Sequence, residues 1–229
     1  MPRGSARRAR TARDLARRTP SRRSKDRILI VCEGGKTEPN YLRELKGSLG
    51  LTNADVEICG DECGSDPASV VNYGIQRFAQ DPGFDRIFCV FDRDTRTTYD
   101  RAIDRTRRKR MPAGKHLDVV RSIPCFEYWI LLHFEFTCAP FVKAGFDSAC
   151  DSVIQRLKKY IPGYAKGSKS LYSLLEDRTA VASEHALRAL KNAKAAGTDN
   201  PTTEVCYLID YLREAATGRK PSKRWPSEK

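Results

Sequence analysis

From residue 27 onward, short apolar runs alternate with segments whose apolar positions recur at helical spacing. Runs at 27–32, 55–59, 86–91 and 117–121 each end at a turn or polar signal and predict four short buried strands. The intervening segments at 39–49, 67–80 and 98–108 predict helices. The order βαβαβαβ favours a parallel sheet with helices on its faces, so the expected fold class is α/β and Rossmann-like. After Pro124 the pattern turns to helices alone, at 126–134, 147–160, 170–177, 180–196 and 202–216, punctuated by Pro162-Gly163, Gly167-Ser168 and the stretch Gly197 to Pro201. This half reads as an α-helical C-terminal extension and not as a repeat of the first. The expected organisation is a basic arm at 1–25, an α/β domain at 26–135, a helical extension at 136–216 and a loose basic tail at 217–229.

Charge changes the picture at the ends. Of the formal net charge of +13, residues 1–25 hold +9, from nine Arg and one Lys against Asp14 alone. A basic arm on a nearly balanced body is the pattern of a tail that meets nucleic acid or another polyanion. A solubilising tail fits the same composition, and a transit peptide fits less well because Leu15 is the only bulky apolar residue after Met1. The longest apolar runs, such as Trp129 to Leu132, fall far short of the roughly 20 residues a spanning helix needs. No membrane partner is therefore expected. The eight cysteines form no CxxC pair, so neither a zinc site nor a disulfide framework is indicated; most read as core thiols of a reduced cytosol. Cys59-Gly-Asp-Glu-Cys63 is the one close pair, and it lacks a second pair at metal spacing.

The candidate chemistry begins at "VCEGGKTEPN", residues 31–40. Its Gly35-Lys36-Thr37 suggests a phosphate loop, but the glycine that motif requires five positions earlier is Ile30, in mid-strand. An ATPase is excluded on that ground. What remains is Glu33 at the end of the first strand, followed by glycines that permit close backbone approach. Glu38 lies near the start of the next helix, where it also suits the helix dipole. The third strand ends in "CVFDRD", and in extended chain Asp92 and Asp94 point the same way, about 7 Å apart at roughly 3.4 Å per residue. Asp94 could alternatively be a helix N-cap. In a sheet of order 2-1-3-4 the crevice opens between the ends of strands 1 and 3, which brings Glu33 beside Asp92 and Asp94. Three converging carboxylates call for a hard divalent ion, Mg²⁺ or Mn²⁺, and an acid cluster with a basic arm suggests phosphoryl chemistry on nucleic acid.

A Glu after strand 1 and Asp-x-Asp after strand 3 resemble the Toprim domain of primases, topoisomerases and OLD-type nucleases. The fuller resemblance is to the RloB/AbiLii-like family of bacterial and archaeal phage-defence proteins, through "ILIVCEGGKTEPNYL", "VFDRD", "SIPCFEYWILLHFE", "YAKG" and "NPTTEVCYLIDYL", which span residues 28–212. Ile123 and Cys206 depart from the family pattern, which has Asn and His there. The resemblance implies a Toprim-like domain, a role in antiphage defence and a companion ATPase encoded nearby.

Phe126, Trp129, Ile130 and Phe134 fall at helical spacing and read as packing against the sheet. Glu127 lies in the first turn of that helix. It is either a dipole-friendly residue or a support or second-metal ligand of the acid cluster. His133 lies about two turns further on and reads as structural. The resulting expectation is a Mg²⁺- or Mn²⁺-dependent endonuclease acting on nucleic acid, RNA ahead of DNA. Asp92 and Asp94 would hold the metal, Glu33 would hold it or act as general base, and Glu127 and Glu38 would assist. Lys36, Arg93, Arg96 and Lys166 are the candidate nucleic-acid contacts, with Lys166 matching the family's Tyr-x-Lys. The rival is a non-catalytic nucleic-acid-binding or sensor subunit that works with an ATPase.

Overall fold

A computed structural model describes residues 26–53, 55–93, 98–143 and 145–218 of the chain. The basic arm at 1–25, Asp94, Arg96 and the tail from 219 onward lie outside the described residues.

The chain folds into a five-stranded, mostly parallel sheet of order β2-β1-β3-β4-β5 with helices on both faces, the α/β class that the alternating pattern predicts. The strands are β1 (Ile28–Cys32), β2 (Val56–Cys59), β3 (Arg86–Asp92), β4 (His116–Ile123) and β5 (Thr202–Thr203). The interior strand β1 is buried along its whole length, which is why it reads as an unbroken apolar run. Alternate residues of the strands feed two separate cores. Ile28, Ile30, Phe88, Val90 and Val120 face one layer, while Leu29, Val31, Ile87, Cys89 and Val119 face the other.

The second layer consists of α2 (Pro67–Gln80) and α3 (Tyr99–Arg108). Helix α2 starts where the sequence supplies a cap and a pre-set φ. The Asp66 carboxylate accepts from the backbone N–H of Ala68 and Ser69 at 3.0 and 3.2 Å, with Pro67 in the first turn. The first layer holds α1 (Thr37–Ser48), α4 (Glu127–Leu131), α5 (Ala149–Leu157), α6 (Leu171–Leu175), α7 (Thr179–Ala195) and α8 (Val205–Ala216). Helices of the C-terminal half therefore share one core with the sheet. In α7 the small residues Ala182, Ala186 and Ala189 are fully buried, at the three- and four-residue spacing of one helix face. Glu44 of α1 ties the halves together, because its carboxylate accepts from the backbone N–H of Ser170 (2.6 Å) and Tyr172 (2.9 Å) at the start of α6.

Three local expectations change. A helix predicted from 202 begins at Val205, because Thr202 and Thr203 pair antiparallel with Ile123 and Ser122 and close the edge of β4. Glu204 holds that pairing: its carboxylate accepts from the backbone N–H and Nε of Arg121, both at 3.0 Å, and from Nη2. The helix predicted over 126–134 is the single short α4, and that predicted over 170–177 is α6 followed by a 3-10 turn at Glu176–Arg178.

Candidate functional site

Parallel pairing of β1 with β3 aligns Cys32 with Val90, so the residues that follow each strand meet at the same end of the sheet. This is the switch point of the strand order, where β1 leads back to β2 and β3 leads on to β4. The backbone N–H of Glu33 donates to the Val90 carbonyl at 2.9 Å, and the Glu33 carboxylate accepts from the backbone N–H of Asp92 at 3.3 Å. Glu127 enters from the β4 side as the first residue of α4, and Glu38 from the first turn of α1. Glu33, Glu38, Asp92 and Glu127, with Lys36 and Lys166, line one cleft of about 330 Å³.

The glycines after Glu33 make this possible. Gly34 has φ +73°, and a Cβ on Gly35 would lie 1.5 Å from the Asp61 carboxylate. Asp61, in the 3-10 turn after β2, is thereby brought to the cleft, as is Ser65. The opposite wall is a loop from the C-terminal half. The Tyr164 hydroxyl donates to Glu127 at 2.9 Å, Gly167 N–H donates to Thr37 Oγ1 at 2.9 Å, and Lys166 Nζ stands 3.9 Å from Glu127.

Of the residues singled out in the sequence, Glu33, Glu38, Asp92, Glu127, Lys36 and Lys166 thus come together. Asp94 and Arg96 lie outside the described residues. Arg93 does not reach the cleft: its guanidinium pairs with Asp199 and stacks 5.8 Å from the Tyr99 ring. The arginines of α3, among them Arg101, Arg105 and Arg108, line a different groove. Tyr160 stacks on Phe134 with centroids 5.0 Å apart. Burial lowers the pKa of His133 to about 4, against the opposing effect of its Nδ1 lying within hydrogen-bond distance of the Trp129 carbonyl. Sequence reasoning did not place Asp61 or Ser65 at the cleft, and it had Tyr164 as the aromatic of Tyr-x-Lys without its bond to Glu127. It also missed that Cys125 and Cys150 lie beside Glu127, where Cys150 Sγ stands 3.4 Å from Oε2. Gly35 was the one local signal of Asp61, since a glycine pair after a strand marks a close approach. Cys59 and Cys63 remain free buried thiols, and Cys63 Sγ donates to the Cys32 and Gly60 carbonyls.

Electrostatically the cleft is crowded with acid. Burial, then repulsion by Glu127 and Glu33, raises Glu38 to about 8 against the opposing pull of its backbone hydrogen bond and Lys166. Burial, then repulsion by Glu38, Glu127 and Glu33, pushes Asp92 well above the usual carboxylate range. Desolvation works against the charge of Lys166, but Glu127 and its neighbours win and raise its pKa. An all-oxygen donor set whose members resist ionisation side by side suits a hard divalent cation, which removes the repulsion it meets.

A sign follows for stability in the absence of divalent ions. Glu38 titrates near 8 when folded and near 4.5 otherwise, so its contribution is complete below about 4.5 and disappears as pH rises through about 8. The melting temperature of the chelated protein should fall as pH is raised from about 5 to above 8, and Mg²⁺ should offset the fall. Thermal melts with and without chelator check this, and parallel profiles in the two conditions would count against it.

The family model described as RloB-like protein matches residues 28–212. No curated protein matches the chain, and no solved structure does.

Proposed function

Because the chain belongs to the RloB-like protein family, we propose that it is a Mg²⁺- or Mn²⁺-dependent endonuclease of antiphage defence, with RNA preferred to DNA as substrate. The observation that carries this reading is the meeting of Glu33, Asp92, Glu127 and Glu38 in one cleft with Lys36 and Lys166 among its lining residues. A non-catalytic binding surface has no use for crowded acids, which repel the phosphates it must hold.

Glu33 and Asp92 would hold the cation, and Asp94, outside the described residues, is the third carboxylate that the sequence offers it. A cation held there would supply Lewis acidity and a more acidic water, as hard divalent ions do in phosphoryl transfer. Where Glu33 serves as base instead of ligand, its carboxylate, fixed by the Asp92 amide, would take the proton of the water that attacks phosphorus, while the P–O bond to the departing nucleoside oxygen breaks and solvent protonates that oxygen. Lys36 and Lys166 bind the phosphate oxygens, and the Lys166 ammonium is held in place by Glu127. The basic arm contributes sequence-independent affinity.

Purified protein with Mg²⁺ or Mn²⁺ should cut RNA, single-stranded or structured, faster than plasmid DNA, and chelator should stop it. Tight binding without cleavage under every metal condition would overturn the reading in favour of a binding or sensor subunit. Deleting residues 1–25 should weaken nucleic-acid binding and reduce its salt dependence, by a slope of roughly 0.7 to 0.9 for each phosphate the arm no longer neutralises, with catalysis at saturating substrate retained. Equal salt slopes for the deletion and the full chain would reduce the arm to a solubilising segment.

A further inference from the structure

Beneath the cleft, Cys125, Glu127 and Cys150 form a buried cluster whose two sulfurs and one carboxylate oxygen all lie within 4.8 Å of one another. The residues are 2 %, 2 % and 5 % exposed. Cys125 comes from the turn between β4 and α4, Glu127 from the first residue of α4, and Cys150 from the first turn of α5. That turn is fixed by a capping box in which the Ser148 hydroxyl accepts from the Asp151 backbone N–H and the Asp151 carboxylate accepts from the Ser148 backbone N–H. We propose that this cluster is a soft-metal site that binds Zn²⁺ through two thiolates and one carboxylate, with its fourth position open to water from the cleft.

The distances fit. Tetrahedral zinc with bonds of about 2.3 Å to sulfur and about 2.0 Å to oxygen has S···O edges of about 3.5 Å and S···S edges of about 3.8 Å. The separation of Cys150 Sγ from Glu127 Oε2 is 3.4 Å, so little rearrangement is needed at that edge. Three protein ligands with an open fourth place are also the pattern of zinc sites that keep a water. The remaining Glu127 oxygen accepts from Tyr164, which fixes the carboxylate as supporting hydrogen bonds do at zinc sites. Charge balances too. Binding converts Zn²⁺ and two thiols into a dithiolate complex with release of two protons, and the resulting single negative charge lies beside the Lys166 ammonium, 3.9 Å from Glu127. Thiolates select zinc over Mg²⁺ by softness, whereas Glu33 and Asp92 offer oxygen alone. The cleft would then hold two different metals, with Glu127 on the zinc. Zinc binding here does not rest on the nuclease reading.

The test is a titration of the chelator-stripped full-length protein with Co²⁺, which reports thiolate ligation as an intense near-ultraviolet charge-transfer band. One equivalent should produce the band, and Zn²⁺ should displace it. Cys125→Ser and Cys150→Ser should each lose the band. Cys138→Ala, at an exposed cysteine, and Glu33→Gln, at the hard-metal end, should keep it. Wild-type protein decides the matter even if a serine variant fails to fold: Co²⁺ bound without the band, or no binding at stoichiometric Co²⁺, overturns the proposal. Failure of nuclease assays leaves this result untouched, so the two readings stand or fall apart.

Discussion

Asp92→Asn should lower nucleic-acid cleavage by at least about a hundredfold while leaving the fold in place, and Glu33→Gln should do the same. The expectation rests on position: Asp92 ends β3, Glu33 follows β1, and the Glu33 carboxylate is held by the Asp92 amide at the switch point of the sheet. Stability should respond in the opposite sense from activity. Burial and the neighbouring acids disfavour the ionised form of Asp92, so a neutral side chain of the same shape removes repulsion from the metal-free protein. Single-turnover cleavage and thermal melts of the same preparations separate the two effects. Variants that cut at the wild-type rate would remove both residues from the chemistry.

Glu204→Ala should cost about 3 kcal/mol of stability, at the low end for a buried ion pair because Arg121 is partly exposed and water screens its charge. Glu204 is 4 % exposed and accepts from the backbone N–H and two guanidinium nitrogens of Arg121. Truncation therefore leaves a cation and an edge amide of β4 without their acceptor. Because β4 leads directly to Cys125 and Glu127, the loosened edge should also lower activity near the melting transition. Glu204→Gln keeps an oxygen acceptor and should lose less. Denaturant unfolding of both variants measures this, and a shift below about 1 kcal/mol for the alanine would show that β5 does not depend on the pair.

Much of this architecture was legible because its signals are local. Apolar runs such as Ile28 to Cys32 and Arg86 to Phe91 are strands buried on both faces, and their alternation with helical segments leads to the order β2-β1-β3-β4. The ends of β1 and β3 could then be placed side by side, which brings Glu33 to Asp92. Other contacts carry no local mark. Thr202 and Thr203 make a two-residue strand too short for any period to show, and only the open edge of β4 gives them a partner. Lys166 was visible through its Tyr-x-Lys motif, but Tyr164 reaches Glu127 and Gly167 reaches Thr37 across more than a hundred residues of chain in the second case. Gly167 has φ +83° and a Cβ there would press on Lys36, a requirement set by the packed loop. Cys125 and Cys150 defeat spacing rules altogether, since a turn and a separate helix bring them to one carboxylate. Arg93, beside Asp92 in sequence, follows strand alternation: it projects to the other side and pairs with Asp199.

The claim that the cleft between β1 and β3 is a divalent-cation centre is tested most directly by Mn²⁺ binding. Electron paramagnetic resonance of free Mn²⁺ should show uptake by the wild-type chain, weak alone and tighter with a non-cleavable nucleic acid whose phosphates complete the coordination shell. In the double variant Glu33→Gln, Asp92→Asn that uptake should disappear, while undiminished Mn²⁺ binding by the double variant would contradict the account.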